Sequence, residues 1–242
     1  MHTIISIVKI TICWIITIFC GLGSLVGTLV LMRKSSVAWI GRNIWGPWLL
    51  WVLGCKLSIE RNDDIDFSKP HVFFMNHQSA IDVLVAYAVI PVDISFVAKK
   101  ELKWIPFLGW AMQVGGMIFV DRSSPKRAVK GMRLAAEQVA AGTNIIAYPE
   151  GTRTQTGDLS PFKKGTFVTA MQAGVDMVPI AIHGARDLYG AQGMRVTPGP
   201  VKVKFGNPLS TANLSYRNNE HREGLTSQGE KQMGDLLQQM RE

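Results

Sequence analysis

Three polar clusters in this chain each close an apolar run, and their residue types could do chemistry. The first, Asn76-His77-Gln78-Ser79-Ala80-Ile81-Asp82, follows Val72-Phe73-Phe74-Met75. His77 would stand at a strand exit and Asp82 in the first turn of the next helix. If the turn folds back, carboxylate and imidazole meet. A carboxylate on one ring nitrogen fixes the tautomer and supports the imidazolium, leaving the other nitrogen free to take a hydroxyl proton. Such a base typically contributes ~10²–10⁴-fold in rate. Spacing alone leaves a second reading open, in which Ser79-x-x-Asp82 is a capping box that serves only a backbone N–H and His77 is an ordinary hydrogen-bonded histidine. A metal site is poorly served, because one histidine and one carboxylate are offered locally.

The second cluster ends Gly116-Met117-Ile118-Phe119-Val120-Asp121-Arg122. Arg122 could pair with Asp121 at the surface, or aim its planar fork at a phosphate or carboxylate. The third is Tyr148-Pro149-Glu150-Gly151-Thr152-Arg153 after Ile145-Ile146-Ala147. Gly151 permits close backbone approach and Thr152 and Arg153 add donors, which suits an anion cradle. Pro-Glu-Gly-Thr is also an ordinary turn composition. Neither a Walker loop nor a dinucleotide fingerprint is present.

The elements that must position these clusters alternate in type. Strands are expected at 71–76, 94–98, 117–120, 144–148, 177–182 and 201–205, and helices at 79–89, 107–114, 125–141, 164–173 and 229–241. That alternation predicts an α/β fold, a mainly parallel sheet flanked by helices, with sites at the carboxyl ends of the strands.

Ahead of this lies a different texture. Ile10 to Met32 runs 23 residues without a charge, enough as a helix to cross about 30 Å of hydrocarbon. Asn43–Cys55, at 13 residues, is too short to span and carries Trp45, Trp48 and Trp51, with Pro47 either starting or kinking a helix. We expect residues 1–56 to form a membrane anchor, one long apolar helix plus a short Trp-rich interfacial helix, and residues 57–242 to form the catalytic domain. The anchor could span, or fold back as a hairpin in one leaflet. A cleaved signal peptide fits less well, since basic residues rather than a small-residue cleavage site follow the run.

Charge agrees. The 242-residue chain carries +8 with 47% hydrophobic residues, which excludes a disordered protein. Residues 1–59 contribute +5 from Lys9, Arg33, Lys34, Arg42 and Lys56 with no acidic residue, and the remainder 21 basic against 18 acidic. The excess sits in the most apolar part, which argues for anionic headgroups and against nucleic acid. Cys13, Cys20 and Cys55 have no paired spacing for a disulfide scaffold or zinc site, and none adjoins His77.

The clusters together resemble the glycerolipid acyltransferase family, specifically the 1-acylglycerol-3-phosphate acyltransferases. Four blocks occur in that family's order: His-x4-Asp (His77, Asp82), Gly116 to Arg122, Tyr148 to Arg153, and Val178-Pro179-Ile180. Ala98-Lys99-Lys100-Glu101-Leu102 and Pro161-Phe162-Lys163-Lys164-Gly165 also match. The resemblance covers roughly residues 70–185. It implies acyl transfer from acyl-CoA or acyl carrier protein to the sn-2 hydroxyl of lysophosphatidic acid, giving phosphatidic acid. His77 would be the base, oriented by Asp82, with direct attack and no acyl-enzyme. Arg122, Glu150, Gly151, Thr152 and Arg153 would bind the acceptor phosphate. Lys99 and Lys163 would serve the same anion or the developing oxyanion. Val178-Pro179-Ile180 is either an acyl-chain wall or a buried strand. No metal or bound cofactor is implied. The expected location is a membrane, at the cytoplasmic face of a bacterial-type inner membrane, with membrane lipids and the acyl carrier as partners. Two alternatives remain: another lysolipid acceptor such as a lyso-aminolipid, or a non-catalytic protein that binds anionic lipid.

Overall fold

A computed structural model describes residues 2–32, 35–121, 123–191 and 193–241, and of Pro125 only the backbone. The first helix, α1 (His2–Leu31), is 30 residues long and about 45 Å from end to end. Its sidedness is inverted relative to a soluble helix. Its buried residues are Ser6, Thr17, Gly21 and Ser24, while Ile4, Ile5, Trp14, Phe19, Val26 and Leu29 face outward. Small and polar groups inside with large apolar groups outside is the pattern of a helix solvated by lipid.

After α1, α2 (Ser35–Ile40), a π turn (Gly41–Trp45) and α3 (Gly46–Leu53) run end to end. Pro47 lies in the first turn of α3, directly after the π turn, where its missing N–H and its ring interrupt the regular helical ladder. Gly54 ends the helix in the left-handed region at φ 82°, its N–H on the Trp51 carbonyl at 2.9 Å. A Cβ there would lie 2.8 Å from Pro198, so glycine is required twice over. The chain enters β1 (Cys55–Glu60) at the next residue.

The remaining elements are β2 (Val72–Met75), α4 (Asp82–Val89), β3 (Ile94–Lys99), a 3₁₀ turn (Lys100–Trp104), α5 (Leu108–Val114), β4 (Ile118–Val120), α6 (Pro125–Ala140), β5 (Asn144–Ala147), α7 (Gly165–Ala173), β6 (Met177–His183), α8 (Ala185–Leu188), β7 (Gly199–Phe205) and α9 (Asn219–Gln239). Among the described residues seven strands form one sheet in the order β1-β7-β6-β2-β5-β3-β4, parallel throughout except for β6 against β7. The expected mainly parallel α/β sheet is therefore present.

Strand β2 lies at its centre and is buried on both faces, as a parallel strand covered by helices must be. Phe73 and Met75 point into one core with Ile180, Val85 and Val89; Val72 and Phe74 point into the other with Phe167, Val139 and Met233. Leu49, Leu50 and Leu53 of α3 belong to the first core. The Trp-rich segment is thus half surface, with Trp39, Trp48 and Trp51 outward, and half cover for the sheet. The boundary expected between residues 56 and 57 falls inside β1. Leu50→Ala is expected to cost about 2–5 kcal/mol, read as a lower melting temperature in detergent.

Two of the anchor's cations also find partners inside the protein. Lys9 Nζ donates to the Leu53 carbonyl at 3.0 Å, capping α3. Arg42 donates to the Pro91 carbonyl at 2.5 Å and lies 3.8 Å from Asp93. Arg33 and Lys34 lie outside the described residues.

Candidate functional site

Parallel strands bring the polar clusters to one edge of the sheet. β2 ends beneath His77, its neighbour β5 beneath Tyr148–Arg153, then β3 at Lys99 and β4 before Asp121. Asn76 anchors the β2 exit with two hydrogen bonds to one residue of β6: its Nδ2 donates to the Ile182 carbonyl at 3.0 Å, and the Ile182 N–H donates to its Oδ1 at 2.8 Å. The side chain extends the ladder where the main chain leaves it.

The next turn folds back as the chemistry requires. Asp82, 0% exposed, opens α4 and places Oδ2 2.7 Å from His77 Nδ1. The same oxygen accepts the N–H groups of Gln78 at 2.7 Å and Ser79 at 2.8 Å. The capping reading and the base-orienting reading therefore describe one atom. Ser79 does not complete a capping box: its hydroxyl donates to the Tyr189 carbonyl and accepts the Ile81 N–H at 3.4 Å, while the Asp82 N–H goes to the Ser79 carbonyl. With Nδ1–H directed at Asp82, Nε2 is the acceptor of a side chain that is 19% exposed.

The third cluster surrounds His77 rather than standing opposite it. The His77 N–H donates to Glu150 Oε1 at 2.5 Å, and Glu150 Oε2 accepts the Ser160 N–H at 3.0 Å. Glu150 is 4% exposed, so this carboxylate expected on substrate is directed into the protein. Burial pushes its pKa up, while the two N–H bonds and the imidazole pull the other way. The Thr154 N–H donates to the His77 carbonyl at 2.9 Å. Tyr148 stacks on the imidazole, centroids 4.1 Å apart and planes 19° apart. Its buried hydroxyl has no partner among the described residues, and burial drives its pKa well up.

The expected anion ligands are dispersed. Thr152 and Arg153 are exposed on the outer side of the turn. Lys163 donates its main-chain N–H to the Pro149 carbonyl at 2.9 Å, and its Nζ lies so close over Gly151 (φ 79°) that a Cβ there would be 2.5 Å away. Lys99 is exposed and 3.7 Å from Glu101. Asp121 is taken by Lys100 at 2.8 Å and Arg127 at 3.2 Å, which hold its carboxyl far below the usual range together with Ser123. Arg122 lies outside the described residues; the strand leading to it, β4, is the third from β2, about 14 Å across the sheet. Val178-Pro179-Ile180 is a buried segment of β6. The Pro179 carbonyl accepts the Gly206 N–H at 2.9 Å, so its ring nitrogen faces the β7 side where that ladder ends, and no sheet bond is lost.

The model of the family described as Acyltransferase matches residues 56–183, a little over half of the chain. The chain belongs to this acyltransferase family. Among the relatives of this chain, a 1-acyl-sn-glycerol-3-phosphate acyltransferase of Cocos nucifera is 33% identical over 171 residues, 70% of this chain and 54% of the relative. A protein of the same description from Saccharomyces cerevisiae is 30% identical over 202 residues, 81% of this chain and 66% of the relative. The chain thus spans about half to two thirds of these curated relatives. The crystal structure of the 1-acyl-sn-glycerophosphate acyltransferase of Thermotoga maritima superposes with a TM-score of 0.81 at 24% identity, over 97% of this chain and 95% of that one, and shares its fold. The matched span opens in β1 and closes at His183, the last residue of β6, so it contains both His77 and Asp82 and all three cluster-bearing strand ends.

Sequence reasoning named Asn76 and Tyr148 only as motif members and missed Ser160 altogether. An asparagine directly after an apolar strand was the available signal for the first. Nothing local marks Ser160, whose part is a backbone N–H.

Proposed function

We propose that this acyltransferase moves a fatty acyl group from a thioester carrier, acyl-CoA or acyl carrier protein, to the sn-2 hydroxyl of 1-acylglycerol-3-phosphate, forming phosphatidic acid. The observation that carries the reading is the buried Asp82 carboxylate on His77 Nδ1 at 2.7 Å, which leaves Nε2 as a base at the mouth of the site. The names of the relatives supply the substrate class. His77 Nε2 takes the hydroxyl proton as the oxygen attacks the thioester carbon; the C–O bond forms, the C–S bond breaks, and the proton passes to the departing thiolate. The thioester is already activated, so this route uses neither metal nor bound cofactor. Arg153, Lys163 and Thr152, exposed beside the turn, are the cations and donor offered to the acceptor's phosphate, with Arg122 assigned to it by its motif.

The substrate is a membrane lipid, and the fold supplies a surface to meet it. Trp39, Trp48 and Trp51 (80% exposed) point outward, and beyond the contacts of Phe107 with Gly21 of α1 and of Gly115 with Val37 of α2, Trp104 (75% exposed) in the 3₁₀ turn and Trp110 in α5 are exposed as well. α1 also touches the domain near its start, where Ser6 Oγ accepts the Val196 N–H at 3.1 Å. A helix bound along its length to the domain favours lying within one leaflet over a free-standing span. The charge bias around it favours the cytoplasmic side, and we take α1 to α3 as the membrane-embedded unit.

The purified protein, given lysophosphatidic acid with each thioester donor in turn, is expected to release phosphatidic acid. Transfer only to a lyso-aminolipid would replace the acceptor, and no transfer to either would defeat the reading. Replacing both Trp48 and Trp51 by Ala is expected to weaken sedimentation with anionic vesicles by roughly 10–100-fold, from the apolar area withdrawn from lipid. Unchanged sedimentation would remove this face from the membrane.

A further inference from the structure

The third cluster and the residue after it, Thr154, contact His77 on three sides at once, and each contact is made by the protein's own atoms. The His77 N–H is taken by Glu150 Oε1 at 2.5 Å, its carbonyl by the Thr154 N–H at 2.9 Å, and a face of its ring by Tyr148 at 4.1 Å. Asp82 holds the ring edge at Nδ1. We infer that the Tyr148–Thr154 turn is a positioning clamp for His77, in which Glu150 and Tyr148 are positioning residues acting through the imidazole and not ligands of the acceptor's phosphate.

The geometry separates this role from anion binding. Both Glu150 oxygens are occupied by backbone donors, Oε1 by His77 and Oε2 by Ser160, and the residue is 4% exposed. A buried carboxylate presented to a phosphate would repel it; presented to N–H groups on two segments, it ties the β2 exit to the 148–160 loop. The turn is itself stiffened where it begins, by the Gly151 N–H on the Tyr148 carbonyl at 3.0 Å and by the Lys163 N–H on that of Pro149. A clamp on the main chain fixes where the ring stands, and Asp82 and the stack fix how it is turned. Proton transfer tolerates little error in that placement, a 1 Å displacement costing about 10²-fold.

Tyr148 contributes through its ring. Its hydroxyl has no partner among the described residues, so the aromatic face is the part presented to His77. That face lies parallel to the imidazole and attracts it most in the cationic form present as the proton is taken up.

The inference rests on the acyl-transfer reading, and two readouts keep the two apart. In the full-length protein in detergent micelles, Tyr148→Leu is expected to lower kcat about tenfold, with KM for lysophosphatidic acid within about twofold of wild type. Tyr148→Phe, which keeps the stack, is expected to recover to within about threefold of wild type. Glu150→Ala is expected to lower kcat about 10²-fold, again with little change in KM, and Glu150→Gln, which keeps one acceptor, less. The second readout needs no turnover: the His77 ring signal in histidine-labelled protein, assigned through His77→Ala, should move on Tyr148→Leu and stay in place on Tyr148→Phe. A Glu150 variant that raises KM for the acceptor tenfold at constant kcat would return Glu150 to the phosphate and overturn the clamp. An unmoved ring signal with wild-type kcat in Tyr148→Leu would overturn the stacking role. If wild-type protein transfers no acyl group, the proposed reaction falls, while the ring signal still decides the clamp.

Discussion

His77→Ala is expected to lower kcat for acyl transfer to lysophosphatidic acid by about 10²–10⁴-fold, leaving KM for the acceptor within about twofold. The base supplies its benefit as the hydroxyl proton leaves, so its loss is a transition-state loss. The variant is well suited to the test because its fold should survive. The bonds that hold residue 77 to Glu150 and Thr154 use its backbone N–H and carbonyl, which alanine retains. What disappears is the ring, half-buried, with its bonds to Asp82 and its stack on Tyr148. Initial rates on mixed micelles, with circular dichroism as the folding control, would measure it. Activity within tenfold of wild type would remove His77 from proton transfer.

Much of this arrangement was legible because the relevant signals are local. Five apolar β-rich runs, each followed by polar residues, placed β2, β3, β4, β5 and β6 within about a residue of where they lie, and alternation with helices implied parallel order. A strand exit, a turn and a helix start within seven residues made the return of Asp82 onto His77 available, with the capping reading left open beside it, and the structure shows the contact. β1 escaped because Cys-Lys-Leu-Ser-Ile-Glu is a mostly exposed edge strand that takes its place from pairing with β7 more than 140 residues later. α9 was expected to begin at Gly229 and begins at Asn219, capped by Asn218 Oδ1 on the Glu220 N–H at 2.8 Å. Gly229, which reads as a helix breaker, is needed for close approach: a Cβ there would lie 2.5 Å from the Phe167 ring. That Glu150 faces inward was hidden for a related reason. Its partners are backbone N–H groups brought by folding, and no spacing rule carries them.

The second large effect separates what Asp82 does by charge from what it does by geometry. A single oxygen, Oδ2, accepts from His77 Nδ1, Gln78 N–H and Ser79 N–H, while Oδ1 has no partner among the described residues. In Asp82→Ala all three donors lose their acceptor inside a fully buried pocket. The ring is then free to turn and to change tautomer. We expect kcat to fall about 10³–10⁴-fold, and stability to fall by about 2–4 kcal/mol for the two stranded backbone N–H groups. Asp82→Asn should behave differently. An amide oxygen in the place of Oδ2 can keep all three bonds, and the amide nitrogen then occupies the partnerless side, so orientation survives and only the charge that supports the imidazolium is lost. The expected fall is about 10–10²-fold, roughly the weight of a charge-assisted over a neutral hydrogen bond. Parallel kcat and melting-temperature measurements on the two variants decide. Equal losses would mean that charge alone matters and the three-donor geometry does not, whereas an alanine variant with more than a tenth of wild-type kcat would take Asp82 out of the mechanism.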